Sequence, residues 1–188
     1  MTLQELISAV SSSDDILDFF DTYSDVIFGG SLTSESDIRD EIPDTEWSVG
    51  WNGVFAADAS GGEFIALEDG SIGFASSEGQ ADRIAENADD FLRLILFCPF
   101  WTDLTGVRSE MWFADKTGFL GETLDEYVEN YPDYNEKRED VAAMFGIDSA
   151  QSALECAEKL YAAATREPRF YAEFSDDGEE CSTEPLFI

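Results

Sequence analysis

Any chemistry performed by this chain rests on carboxylates. Its 188 residues include 42 Asp and Glu against 10 Lys and Arg, with no His, for a formal net charge of -32 at pH 7. The lack of His removes the commonest general base, the Ser-His and Cys-His nucleophile pairs and most zinc sites. Two lines of acids stand out. At about 100° per residue, Asp14, Asp18, Asp21 and Asp25 fall within roughly 60° of one another on a helix, with no Lys or Arg between them. Glu78, Asp82, Glu86 and Asp89 read as a second line, with only Arg93 placed to relieve Asp89. Carboxylates four residues apart on a helix repel by a few tenths of a kcal/mol per pair. A partner bearing Lys or Arg relieves that repulsion through charge-assisted hydrogen bonds, so both lines are candidate partner-binding faces. The plainer reading of either line is a solvated helix face.

Other chemistries find less support. A glycosidase-like site needs two carboxylates across a cleft, and Glu63, Asp69, Glu110 and Glu122 qualify only by lying near predicted strands. The chain therefore reads as non-enzymatic. Asp176-Asp177-Gly178-Glu179-Glu180 lacks the alternating oxygen-ligand spacing of a calcium loop and reads as a solvated turn. Cys98, Cys156 and Cys181 are odd in number and form no C-x-x-C pair, so reduced thiols packed as small hydrophobes are expected. No metal or cofactor is implied. So acidic a surface repels phosphate backbones and anionic headgroups over a Debye length of about 8 Å, which argues against direct nucleic-acid or membrane binding. MTLQELISAV carries no signal-peptide pattern, and no stretch approaches the roughly 18 apolar residues of a membrane span, so a cytoplasmic protein is expected.

At 44% hydrophobic and 13% aromatic residues, the chain is too apolar for a disordered acidic coil. One domain over residues 1–188 is the simplest expectation. Thr2-x-x-Glu5 opens a first helix. Ser13 caps a second that carries Ile16, Phe19, Phe20, Tyr23, Val26 and Ile27 on one face until Gly29-Gly30. A short polar helix is expected over 34–42. Strands begin at Trp47, and the Asp69-Gly70 turn predicts a hairpin of 63–68 with 71–75. Trp47 and Trp51 read as strand core, or alternatively as interface anchors. Ile84, Ala88, Phe91, Leu92 and Ile95 mark a helix closed by Cys98-Pro99. VRSEMWFA (107–114) predicts a strand and Thr123-x-x-Glu126 a short helix. Further helices are expected over 135–145 and from Asp148 through Ala153, Leu154, Ala157, Leu160, Tyr161 and Ala164. The tail holds one strand and an acidic turn. The fold class is α+β: an antiparallel-rich sheet flanked by helices, with a mostly helical C-terminal extension over 101–188 packed on the rest.

Taken in order, DTYSDVIFGG (21–30), VFAADASGGEFIALEDGSIGF (54–74) and RIAENADDFLRLIL (83–96) are similar to the core of the SUKH superfamily of bacterial immunity proteins. The resemblance covers about residues 13–98, with Phe28 standing where that family usually has Asn. It implies a SUKH-like fold over the first 100 residues. It also implies a binding protein, without catalytic residues, that neutralises a cognate toxin such as a nuclease or deaminase by direct contact. A toxin acting on nucleic acid has a basic cleft, so charge and resemblance point the same way. Two alternatives remain: a regulatory protein-interaction domain, and an acidic protein adapted to a high-salt cytoplasm with no toxin partner.

Overall fold

The structure, a computed structural model, describes residues 1–41, 45–106, 109–148, 150–176 and 179–187. Helix α1 (Leu3–Ser11) opens on the expected capping box, with Thr2 and Glu5 each accepting from the other's backbone N–H. Helix α2 (Asp14–Ser24) buries Ile16, Phe19 and Phe20. It stops earlier than its apolar spacing predicts. Asp25 adopts a left-handed conformation (φ 51°), and the N–H groups of Asp25 and Val26 turn back to the Phe20 carbonyl. Asp tolerates this geometry better than most residues with a Cβ. Val26 is therefore buried outside the helix, Ile27 is exposed, and the paired glycines lie within strand β1 (Ile27–Thr33).

Strands β3 (Trp51–Ala57), β4 (Glu63–Leu67), β5 (Ile72–Ala75) and β6 (Ala81–Ala85) join β1 in an antiparallel sheet of order β1-β3-β4-β5-β6. The Asp69-Gly70 hairpin forms as expected, with Gly70 at φ +87°. Every residue of β4, β5 and β6 is buried. Alternation explains why. Phe64 and Ala66 join the main core with Phe91 and Ile95 of helix α4 (Ala88–Phe97), whereas Ile65 and Leu67 join a second core around Phe170. That second core also holds Trp47 and Trp51, so both tryptophans follow the core reading, Trp47 stacking on Phe170 at 5.0 Å. Phe170 packs so closely on the sheet that a Cβ on Gly73 would lie 2.7 Å from its ring. A small sheet of β2 (Glu46–Trp47), β7 (Ala172–Asp176) and β8 (Glu179–Ser182) completes the β structure. It ties the C-terminal stretch back to residues 46–47.

Several sequence expectations need correction. Residues 81–85, read as the start of a helix, form β6. The chain reverses at Ser76–Gly79, and α4 begins only at Asn87, whose side chain accepts from the Asp90 N–H. Residues 109–114, read as strand on aromatic content, form helix α5 (Ser109–Ala114), with Ser109 and Trp112 buried one turn apart; Val107 and Arg108 lie outside the described residues. Thr123 starts no helix. It lies inside α6 (Lys116–Asn130), capped by Asp115, and its hydroxyl donates to the Phe119 carbonyl. Helix α7 (Tyr134–Met144) matches the expected 135–145, and α8 (Ala153–Ala164) starts later than Asp148, on a Ser152–Glu155 capping box. The short helix expected over 34–42 starts later, as α3 (Asp37–Glu41), and Ile42 lies outside the described residues. The tail holds two strands rather than one.

Candidate interaction surface

Asp14, Asp18 and Asp21 are exposed on α2 and make no side-chain hydrogen bond or ion pair with any described residue. Asp25 leaves their line. It caps the helix, and its carboxylate accepts from the Ala59 N–H at 3.0 Å, tying α2 to the loop after β3. The expected line thus keeps three unrelieved carboxylates, not four.

One flank of that line borders a groove of about 270 Å³ between α2 and α7. Phe19, Tyr23, Val141 and Met144 supply its apolar surface, and Asp15, Asp18 and Asp140 its carboxylates. Neither Asp15 nor Asp140 makes a side-chain bond with a described residue, and Met144 is 57% exposed. Lys137 also lines the groove, yet its side chain makes no ion pair, hydrogen bond or ring contact with a described residue. An aromatic seam holds the walls apart. Tyr134 stacks on Phe19, its hydroxyl donates to the Leu96 carbonyl at 2.6 Å, and the Tyr127 hydroxyl donates to the Tyr23 carbonyl. Burial drives the hydroxyl pKa values of Tyr127 and Tyr134 upward, so both stay protonated donors at any ordinary pH. Burial and then the neighbouring Asp133 carboxylate raise that of Tyr23. Asp18 was legible in the sequence as part of this surface. Asp15, Lys137, Asp140 and Met144 were not, because nothing local says that α7 packs beside α2.

The second acidic line does not exist as a helix face. Glu78 is exposed in the turn before β6, and Asp89 on α4 accepts from the Met1 amino group at 3.0 Å. Glu86 pairs with Arg166 at 3.2 Å. Asp82 lies on β6, is 1% exposed, and accepts from Arg169 Nη2 at 2.5 Å, Arg169 Nε at 3.3 Å and the Leu186 N–H at 3.0 Å. Beside it Arg83, equally buried, donates from Nε to the Ser71 hydroxyl and from Nη1 to the Pro168 carbonyl. Arg166 reaches Asp69 at 2.6 Å. These groups form a clasp that fixes residues 166–169 and 186 to the sheet. Burial pushes the Asp82 carboxyl up against the opposing pull of Arg169, the Leu186 N–H and Arg83. Burial also acts to raise Asp69, but hydrogen bonds from Ser71 and Arg166 and the charge of Arg83 bring it down to about 2.

The carboxylates considered for catalysis are not assembled. Glu63 opens β4 and Asp69 lies in the turn beyond its far end; the strand alone is about 13 Å long at the usual rise, longer than the carboxyl separations of roughly 5–9.5 Å that glycosidases use. Glu63 is buried and accepts from the Ser36 hydroxyl and Asp37 N–H, holding the start of α3. Glu110 and Glu122 are exposed on α5 and α6. Among the described residues no group of three or more His, Cys, Asp or Glu is arranged to hold a metal. Asp177 and Gly178 of the acidic turn lie outside them. Cys98, Cys156 and Cys181 are free thiols, the first two buried; burial pushes Cys156 up to about 12 and Cys98 upward too. No described helix is long and apolar enough to cross a membrane. No protein-family model, curated protein or solved structure matches the chain.

Proposed function

We propose that this chain is a binding protein for a basic protein partner, and that it acts by covering the partner's cationic surface. The observation that carries this reading is the α2–α7 groove, where carboxylates without a partner among the described residues border the exposed Met144 side chain. A solvated acidic face has no use for an apolar floor, whereas an interface needs both: apolar area to exclude water, and charge to select and orient the partner. The similarity to SUKH immunity proteins supports the narrower form, in which the partner is a toxin enzyme with a basic cleft. Occlusion then needs no catalytic group, metal or cofactor from this chain.

The test is capture from the cells that make the protein, followed by reconstitution of each captured protein in purified form. A cationic partner should bind stoichiometrically, with an association rate that falls steeply with salt, and should lose its own activity when bound. Captured proteins that are acidic, or whose association ignores salt, would overturn the proposal.

A second reading draws on the spread of the acids. Exposed carboxylates also line α6 at Glu122, Asp125, Glu126 and Glu129, and α7 at Glu136, Glu139 and Asp140, so the acidity is not confined to one face. A salt-rich solvent selects for such a distribution, and the mutual repulsion of these groups then makes folding depend on screening.

A further inference from the structure

Of the cations among the described residues, all but one are fixed to the protein itself. Arg83, Arg166 and Arg169 belong to the clasp; Arg39 lies over the Trp51 ring and Arg138 over the Phe97 and Tyr134 rings. Arg93 donates to Gln151, Lys159 pairs with Asp90, and Lys116 pairs with Glu158 while facing the Trp112 ring. Lys137 alone is unengaged, and it lines the α2–α7 groove beside Asp15, Asp18 and Asp140. The groove thus combines carboxylates from two helices, an apolar floor, and one weakly held cation of the chain's own.

We infer that the α2–α7 groove is a receptor for a single arginine side chain of the basic partner, which displaces Lys137 on entry. The inference rests on the proposed binding function and names the group recognised. Three features favour arginine. Its stem is apolar enough to lie against the exposed Met144 side chain. Its guanidinium sheds water more readily than an ammonium and can stack on an aromatic ring such as that of the half-buried Tyr23. Its five donors can engage carboxylates on both walls at once, which a point charge does less well. Lys137 stands in for the guest: it tempers the repulsion among the three carboxylates while the groove is empty, and it can withdraw because no bond holds it.

The full-length protein is labelled with nitrogen-15 and titrated at physiological salt with the peptide acetyl-Gly-Arg-Gly-amide and with its citrulline counterpart, which keeps the shape and loses the charge. The arginine peptide should shift the amides of α2 and α7 saturably, and the citrulline peptide should not. Asp15→Asn with Asp18→Asn and Asp140→Asn should weaken binding at least about fivefold, since charge-assisted bonds on both walls are lost. Lys137→Ala should tighten it, and Met144→Ala, at an exposed site that folding does not need, should weaken it. The control Glu122→Gln, Asp125→Asn and Glu129→Gln removes the same charge from α6 and should change little. Shifts scattered over α6 as well as the groove, equal loss in the control, or no effect of Lys137→Ala would overturn the inference. If the peptide fails while a whole basic protein binds, the groove assignment falls and the proposed function stands. If the peptide occupies the groove but no cationic partner is recovered, the reverse holds.

Discussion

Arg169→Met tests whether the clasp on β6 is an ionised pair that holds residues 166–169 and 186 against the sheet. Asp82 is 1% exposed and Arg169 31%, with contacts of 2.5 and 3.3 Å between them. Removing one member of a fully buried pair costs about 3–5 kcal/mol, because the remaining charge is left without its counterion. Here the arginine is partly solvated and the carboxylate keeps the Leu186 N–H at 3.0 Å, so about 2–3 kcal/mol at pH 7 is expected. Methionine preserves much of the apolar stem, which limits the effect to the charge. Urea unfolding followed by tryptophan fluorescence reads it out, with salt held constant because screening alters the whole chain's self-repulsion.

The pH dependence supplies the sharper check. Burial already raises the Asp82 pKa in the folded protein, and loss of Arg169 raises it further. An acid with a higher pKa folded than unfolded binds its proton more tightly in the native state, so its contribution to stability falls as pH rises through that interval. The deficit of Arg169→Met should therefore be smaller at pH 5 than at pH 7. In a double-mutant cycle with Asp82→Asn, the coupling between the two sites should be about 1.5–3 kcal/mol. A variant within about 0.5 kcal/mol of the parent at pH 7, the range of an ordinary surface change, would refute the reasoning. So would a deficit that does not change between the two pH values.

Gly73→Ala places a Cβ 2.7 Å from the Phe170 ring; the displaced ring should cost about 1–3 kcal/mol in urea unfolding, with part recovered in combination with Phe170→Leu. On α2, Asp18→Asn with Asp21→Asn should raise stability by a few tenths of a kcal/mol, while adding Asp14→Asn should cancel that gain, since Asp14 in the first turn favours the helix dipole; all three changes should slow association with a basic partner at low salt. Asp69, held at about 2 against 3.8 unperturbed, contributes stability that is present above the unfolded value and lost as pH falls from about 4 to 2. Because its side chain is 43% exposed, that contribution is discounted to about 1 kcal/mol, and Asp69→Asn should flatten the acid limb of a stability-pH curve by this amount. Thermal melts in dilute buffer and at molar salt separate the two functional readings: a chain built for a partner stays folded in dilute buffer, whereas one adapted to salt loses structure there.

The elements legible in the sequence were those whose signal is local. The Thr2–Glu5 capping box, the Asp69-Gly70 turn, and the apolar faces of α2, α4 and α8 are written in residues a few positions apart. Failures came where two local signals competed or where the deciding contact was distant. At residues 81–85 the helical spacing of Ile84 with Ala88 and Phe91 extended across Asn87, the actual cap, so a strand was read as the first turn of a helix. That slip created the second acidic line, because helical geometry would align Glu78, Asp82, Glu86 and Asp89, whereas strand geometry buries Asp82. At the end of α2 the conspicuous Gly29-Gly30 masked the less usual stop at Asp25. The groove was out of reach altogether, since pairing Asp15 and Asp18 with Asp140 requires knowing that α7 packs on α2.

The clasp and the groove are linked by the scarcity of cations. With only 10 Lys and Arg, each arginine that pins the C-terminal segment to β6, or lies over an aromatic ring, is withdrawn from the surface. The exposed carboxylates of α2 and α7 then have little on this chain to pair with. Uniform solvation accounts for that deficit on α6, where Glu122, Asp125, Glu126 and Glu129 are exposed to water. It does not account for Met144 left exposed beside Asp18 and Asp140, because an apolar side chain gains nothing from water or from salt there. What the groove adds to a charge that the whole surface shares is a concave site, walled by carboxylates of two helices and edged by an exposed Met144 that a bound partner would cover.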